Sequence, residues 1–113
     1  MRLQGEGKLL RVFIGEADKV DHHSLYTAIV RAAQERGLAG ATVLRGIEGF
    51  GAGTRRIHTA RILRLSEDLP MVIEVVDSRE KIDTLLPHVN EMVTQGLVTL
   101  EEVTVFKYVA DCS

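Results

Sequence analysis

Two helix-type patterns, each placed between runs of aliphatic and β-branched residues, constrain the fold of this chain more than any other feature. Apolar residues recur at helical spacing over His22–Gly37 and again over Arg79–Gln95. The flanking runs are predicted to be strands, and they are Lys8–Gly15, Ala41–Ile47, Met71–Val76 and Val98–Tyr108. The order β-α-β-β-α-β predicts an α+β fold, a ferredoxin-like sandwich with a four-stranded antiparallel sheet.

Capping residues predict where the two helices begin and end. Asp21 is a candidate N-cap for the first helix, and Gly37 stands where a glycine closes a helix. Asp77 and Ser78 are candidate N-caps for the second helix, which Gly96 is predicted to end.

Three other segments are predicted to depart from regular helix or long strand. Residues 1–7 are interpreted as a frayed lead-in. Pro87 removes a hydrogen bond inside the second helix, which predicts a kink or a break near Asp83–Leu86. Ala60–Leu65 is predicted to be a short strand or the returning arm of a loop.

The first and third predicted strands carry apolar residues on both of their faces. In the third strand one face holds Met71, Ile73 and Val75, and the other holds Val72, Glu74 and Val76. Two helices can cover only one face of a four-stranded sheet. Because soluble monomers avoid large exposed apolar patches, the pattern predicts a homo-oligomer that buries the second face.

Composition narrows the classes of protein to which the chain can belong. Its 113 residues predict a single domain over 1–113, and 14 basic against 16 acidic residues give a net charge of −2. That balance argues against a general nucleic-acid binder. The single cysteine, Cys112, excludes an intramolecular disulfide and favours a reducing compartment. With no signal-type N-terminus and only short apolar runs, the expected location is the cytoplasm.

A glycine-rich segment follows the second predicted strand. A glycine cluster between two strands predicts a long hairpin loop, and its backbone N–H groups followed by guanidinium groups suit phosphate or another anion. The candidate ligand-binding residues of this loop are Phe50, Gly51, Gly53, Arg55, Arg56 and His58.

Three segments together resemble the PII-like proteins, in particular the branch called domain of unknown function 190. They are the Val-Leu-Arg-Gly-Ile-Glu-Gly-Phe-Gly run at 43–51, the strand Val72–Val76 with Asp77 after it, and Thr94-Gln95-Gly96 before the last strand. The resemblance covers about residues 8–109. It implies a homotrimer in which three sheets face one another.

The same resemblance implies a signalling function. Small ligands, usually adenine nucleotides, are expected in clefts between the subunits. A long T-loop, here Glu48–Arg61, is expected to change shape and engage a membrane transporter or an enzyme. By position, the cleft is lined by Gly46, Ile47, Gly49, Thr94, Gln95 and Gly96.

The segment after the second helix departs from the PII pattern. PII proteins have a Thr-Gly-x-x-Gly-Asp-Gly-Lys phosphate loop there, whereas residues 94–102 of this chain read Thr-Gln-Gly-Leu-Val-Thr-Leu-Glu-Glu. Two glycines and the lysine are missing. Glu101 and Glu102 are expected to repel a phosphate group at this position.

Other classes of site have weaker support in the sequence. No nucleophile stands with a base, so an enzyme is not predicted. The segment Gly49–Thr54 lacks the third glycine of a dinucleotide fingerprint. His22 and His23 are interpreted as part of a solvated helix start. A ligand-free trimeric adaptor, or a metal-binding trimer that uses these two histidines and His58, is the alternative function.

Overall fold

The computed structural model describes residues 2–52, 54–59 and 68–111, with only the backbone described for residues 2, 3 and 54–56. Eight strands and two helices follow one another in the described chain. They are β1 Arg2–Gly15, β2 Lys19–Val20, β3 His23–Ser24, α1 Leu25–Glu35, β4 Thr42–Arg45, β5 Glu48–Gly51, β6 Thr54–Thr59, β7 Pro70–Asp77, α2 Arg79–Met92 and β8 Leu97–Val109. Neither helix is long and apolar enough to span a membrane.

The main sheet has the strand order β4-β7-β1-β8, and every neighbouring pair is antiparallel. This arrangement confirms the predicted α+β, ferredoxin-like fold. Both helices pack on one face, where side chains of β1 and β7 alternate into the core. The largest fully buried side chains of that core are Leu10, Ile29, Ile73, Ile82, Leu85, Val12, Val75 and Val89.

The opposite face of the sheet carries no helix within the described chain. Here Leu9, Arg11 and Phe13 of β1 lie directly opposite Val76, Glu74 and Val72 of β7. At the rim of this uncovered face, Leu44 and Leu97 are 48% and 56% exposed. The two-sided apolar pattern is therefore confirmed, and one side lies open in the single chain.

An ion network lies in the middle of the uncovered face. Arg11 donates from Nε to Glu74 at 2.8 Å and from Nη1 to Glu101 at 3.1 Å, so one guanidinium joins three adjacent strands. The hydrogen bond that Arg11 donates to Glu74 raises the pKa of Arg11 further above its usual value. The network leaves each chain with one uncompensated negative charge at the centre of an otherwise mainly apolar surface.

Asp77 is a buried carboxylate that links the α1–β4 connection to the start of α2. It accepts hydrogen bonds from the backbone N–H of Ala39 at 2.8 Å and of Ser78 at 2.6 Å. The carbonyl of Ala39 accepts from the Tyr108 hydroxyl at 2.7 Å. Ser78 is the N-cap of α2 and accepts from the N–H of Lys81, so of the two predicted capping residues Ser78 serves as the cap.

The start of the first helix differs from the prediction. Asp21 and His22 have positive φ angles of 49° and 69° and form the two-residue turn of a small β2–β3 hairpin. Two successive positive φ angles are those of a type I′ turn, which joins strands tightly. Because this hairpin uses the residues up to Ser24, Asp21 cannot cap the helix, and α1 begins at Leu25 with Ser24 as its N-cap.

Three other predictions for the strands and helices also differ from the structure. Residues 2–7 are not frayed, because they belong to β1 and pair with the far half of β8. Helix α2 runs unbroken through Pro87, since buried Leu85 and Val89 anchor the turns on either side of it. It ends at Met92, before Gly96, because Val93 is already extended. The predicted strand at 60–65 lies outside the described residues.

Two glycines allow the backbone to pass very close to its neighbours. A Cβ on Gly96, which has φ of +153°, would lie 2.7 Å from the carbonyl oxygen of Phe13. A Cβ on Gly46 would lie 2.7 Å from Cγ of Pro70, and the Gly46 N–H donates to the Pro70 carbonyl at 2.7 Å. The chain after β4 therefore lies against the start of β7, and the chain before β8 lies against the end of β1.

Replacing Asp77 by alanine should lower the free energy of unfolding by about 1–3 kcal/mol, since the variant leaves two inward-pointing N–H groups without their acceptor. Urea unfolding at matched protein concentration measures the change. Asp83→Ala, on the exposed side of α2, is the control and should cost less than about 0.5 kcal/mol. Equal effects of the two substitutions would contradict the assigned role of Asp77.

Gly96→Ala and Gly46→Ala should each destabilise the fold, by about 2 kcal/mol or more at position 96, where a rigid backbone carbonyl blocks the new Cβ. Thermal unfolding followed by circular dichroism measures this loss. Gly51→Ala is the matched control, because nothing lies within 4 Å of its Cβ position. If the position-96 variant melts at the wild-type temperature, the close contact does not exist in solution.

Candidate functional site

Four strand ends meet at one edge of the main sheet. The antiparallel order places the end of β1 beside the start of β7 and the start of β8, and the end of β4 lies next to β7. The β5–β6 hairpin extends from this same edge, because Gly46, just before β5, is hydrogen-bonded to Pro70 at the start of β7. A cavity of about 380 Å³ lies between the hairpin and the sheet edge, and this volume is within the range of small-molecule sites, roughly 300–1,000 Å³.

The glycine-rich loop is a regular two-stranded hairpin where it is described. Glu48 pairs with Thr59 and Gly49 pairs with His58, and the register shifts before Gly51 pairs with Thr54. The hydroxyl of Thr59 also donates to the carboxylate of Glu48 at 2.9 Å. The segment predicted to be a loop is thus itself a hairpin of two short strands, and this hairpin forms one wall of the cavity. The strand expected to follow it at 60–65 lies outside the described residues.

Half of the predicted ligand-binding residues line this cavity. The hairpin and the α2–β8 connection, which are far apart in the sequence, contribute Gly49, Phe50, Gly51, His58, Gln95 and Gly96. Gly46, Ile47 and Thr94 are described but lie outside the lining, and Ile47 is 77% exposed. Gly53 and the side chains of Arg55 and Arg56 lie outside the described residues. A ligand-binding role for all of these residues stays a prediction.

Two carboxylates that the sequence analysis did not single out also line the cavity. Asp18 accepts from the N–H of Gly15 at 2.9 Å, and Asp68 accepts from the N–H of Ala17 at 2.8 Å. The N–H of Glu16 donates to the carbonyl of Leu69 at 2.8 Å. The turn after β1 is thus bound to the start of β7, and both carboxylates are held in place by backbone groups.

The negative charge near the cavity does not come from the residues predicted to supply it. Glu101 pairs with Arg11 on the uncovered face, and Glu102 pairs with Lys8 at 3.1 Å. Neither is part of the lining as described. β8 continues past residue 97 and carries both glutamates away from this cavity. Their repulsion of a phosphate group stays a prediction.

Apart from Phe50, the larger apolar side chains of the lining were likewise absent from the sequence prediction. Phe13 and Leu97, which form a cross-strand pair on the uncovered face, reach the cavity together with Pro70. The signal that could have found them is the strand order, because residues at the end of β1 and the start of β8 must be neighbours in this topology. The cavity therefore opens at the rim of the uncovered face.

The histidines are dispersed over the molecule. His22 and His23 lie at the β2–β3 turn, whereas His58 lies on β6 at the opposite wall of the cavity from the sheet edge. Within residues 2–52, 54–59 and 68–111, no group of three or more His, Cys, Asp or Glu side chains is arranged to hold a metal ion.

Comparison with known sequences identifies the family. A family model described as uncharacterized ACR, DUF190, matches residues 7–105. A UPF0166 protein of Aquifex aeolicus is 40% identical over 98 residues, which cover 87% of this chain and 91% of the relative. A UPF0166 protein of Methanocaldococcus jannaschii is 35% identical over 103 residues, which cover 90% and 94% of the two chains.

Comparison with solved structures identifies the fold. CPII of Thiomonas intermedia, bound to ADP and bicarbonate, superposes with a TM-score of 0.62 at 17% identity over 88% of both chains. A Thermus thermophilus protein classed as PII-like superposes with a TM-score of 0.65 at 17% identity over 92% and 93%. The chain therefore belongs to the DUF190 family, and its fold is that of the PII-like proteins.

Proposed function

We propose that this protein is a cytoplasmic, PII-like regulatory homotrimer that binds a small anionic ligand, such as an adenine nucleotide, beside its β5–β6 hairpin. In this proposal the hairpin, which corresponds to the T-loop, relays ligand binding to a protein partner, either a membrane transporter or an enzyme. The protein acts by binding and carries out no catalysis of its own.

The observation that carries the proposal is the position of the cavity. Phe13 and Leu97 belong both to the cavity lining and to the uncovered apolar face. If further copies of the chain cover that face, the cavity becomes a seam between subunits. A ligand in such a seam contacts the hairpin on one side, so its binding can change the conformation of the hairpin.

The ligand class is inferred from two sources. The backbone N–H groups of the glycine-rich hairpin suit an anion, and the structurally similar CPII of Thiomonas intermedia is bound to ADP and bicarbonate. Arg55 and Arg56 follow on β6, where the sequence places two guanidinium groups. Together these features favour a nucleotide or a smaller oxyanion.

The trimer predicts a mass of three chains in sedimentation velocity at micromolar concentration. Val72→Lys places a charge on the apolar part of the uncovered face, opposite Phe13, and should shift the protein to the monomer, because an interface core excludes unpaired charges. Thr84→Lys, on the exposed side of α2, is the control and should sediment like the wild type. A wild-type monomer, or a trimer insensitive to the first substitution, would contradict this assembly.

Ligand binding predicts a rise in melting temperature when ADP, ATP, AMP, phosphate or bicarbonate is added one at a time. A ligand at 100 times its Kd stabilises the folded state by about 2.7 kcal/mol. A variant with Gly49–Thr59 replaced by a short turn should lose the shift, because one cavity wall is missing. The Thr84→Lys control should keep it. If none of the five probes raises the melting temperature of the wild type, the ligand half of the proposal is wrong.

A further inference from the structure

The cavity beside the hairpin has a polarity of its own. Among the described residues that line it there is no lysine or arginine, whereas two aspartates are present. A phosphate group seated beside Asp18 and Asp68 would meet like charge at close range. The side of the cavity that these two carboxylates form therefore favours hydrogen-bond donors over the anionic end of a ligand.

Each aspartate has one oxygen committed to the protein and one available. Oδ2 of Asp18 accepts from Gly15 and Oδ1 of Asp68 accepts from Ala17, and neither carboxylate has a further partner in the described chain. Each carboxylate is thus tethered through one oxygen, and its second oxygen can accept a hydrogen bond from a group in the cavity. Hydrogen bonds from N–H groups to such ionised acceptors are among the strong ones in proteins.

The remaining walls favour a flat group. Phe13 and Phe50 are 37% and 54% exposed as residues and both line the cavity. Pro70 and Leu97 add apolar surface, and glycine backbone at 49, 51 and 96 leaves room for close approach. Aromatic and apolar walls of this kind accept a planar ring or a guanidinium plane, which can stack on a phenyl face.

We propose that the carboxylates of Asp18 and Asp68 bind the N–H donor edge of a planar, nitrogen-rich group, which enters this cavity with the anionic end of the ligand directed away from it. The group is the amino edge of a nucleobase or a guanidinium. This inference rests on the proposed function and adds the orientation of the ligand to it. The specificity of the site then comes from the turn after β1 and the residues before β7, and not from the chain after α2.

Isothermal titration calorimetry on the full chain tests the assignment with four probes: AMP, GMP, agmatine and inorganic pyrophosphate. AMP and GMP represent the nucleobase source, and agmatine represents the guanidinium source. The variants are Asp18→Asn and Asp68→Asn, singly and together. Asparagine keeps an oxygen for the backbone N–H while it removes the charge, and Asp83→Asn on the exposed side of α2 is the control.

The double variant should bind whichever of AMP, GMP or agmatine the wild type binds at least tenfold more weakly. It should bind pyrophosphate as tightly as the wild type or more tightly, and an unchanged melting temperature shows that the double variant is folded. The control should match the wild type for every probe. Nucleotide binding that is unchanged or tighter in the double variant overturns the inference and leaves the proposed function standing.

The remaining outcomes separate the two proposals. If agmatine alone binds, and does so through the aspartates, the inference holds and the anionic ligand of the proposed function is wrong. If the wild type binds pyrophosphate but none of the three nitrogen-rich probes, the inference is overturned. If it binds none of the four, both the inference and the ligand half of the proposed function are overturned.

Discussion

Two helices cannot cover both faces of a four-stranded sheet, and the other properties of this molecule follow from that shortfall. β1 and β7 lie in the middle of the sheet, so their side chains must be apolar toward the helices. They are also mainly apolar on the other side, where Arg11 is neutralised by Glu74 and Glu101. The apolar side chains of this surface favour its burial against another copy of the chain, and the net negative charge of the ion network at its centre opposes it.

The candidate site lies where that face meets the ends of the strands. The antiparallel order brings the ends of β1 and β4 and the starts of β7 and β8 to one edge. The connections at this edge carry the polar groups, because interior strands have little room for them. Asp18 and Asp68 lie on such connections, and backbone N–H groups hold both in position. The fold thus keeps its core apolar and places polar groups on the connections at this edge of the sheet.

The sequence allowed most of the main elements to be predicted and failed at particular turns. The β-branched, almost wholly apolar run Met71–Val76 and the apolar stripe of α2 are local patterns, so they identified a strand and a helix. Asp21-His22 lacks the glycine that usually marks a type I′ turn, and the β2–β3 hairpin was therefore missed. The pairing of residues 2–7 with β8 was missed because a strand that depends on a distant partner has little local signal.

The sequence by itself determined the type and order of the main elements and the two-sided character of the central strands, because both are written in residue periodicity over short stretches. It also pointed to the hairpin and the α2–β8 connection as parts of one site through family resemblance. Only the tertiary structure placed Asp18, Asp68, Phe13 and Leu97 around the same cavity and took Glu101 and Glu102 away from it. Those positions depend on strand order and register, which bring residues distant along the chain into contact and leave no periodic trace in the sequence.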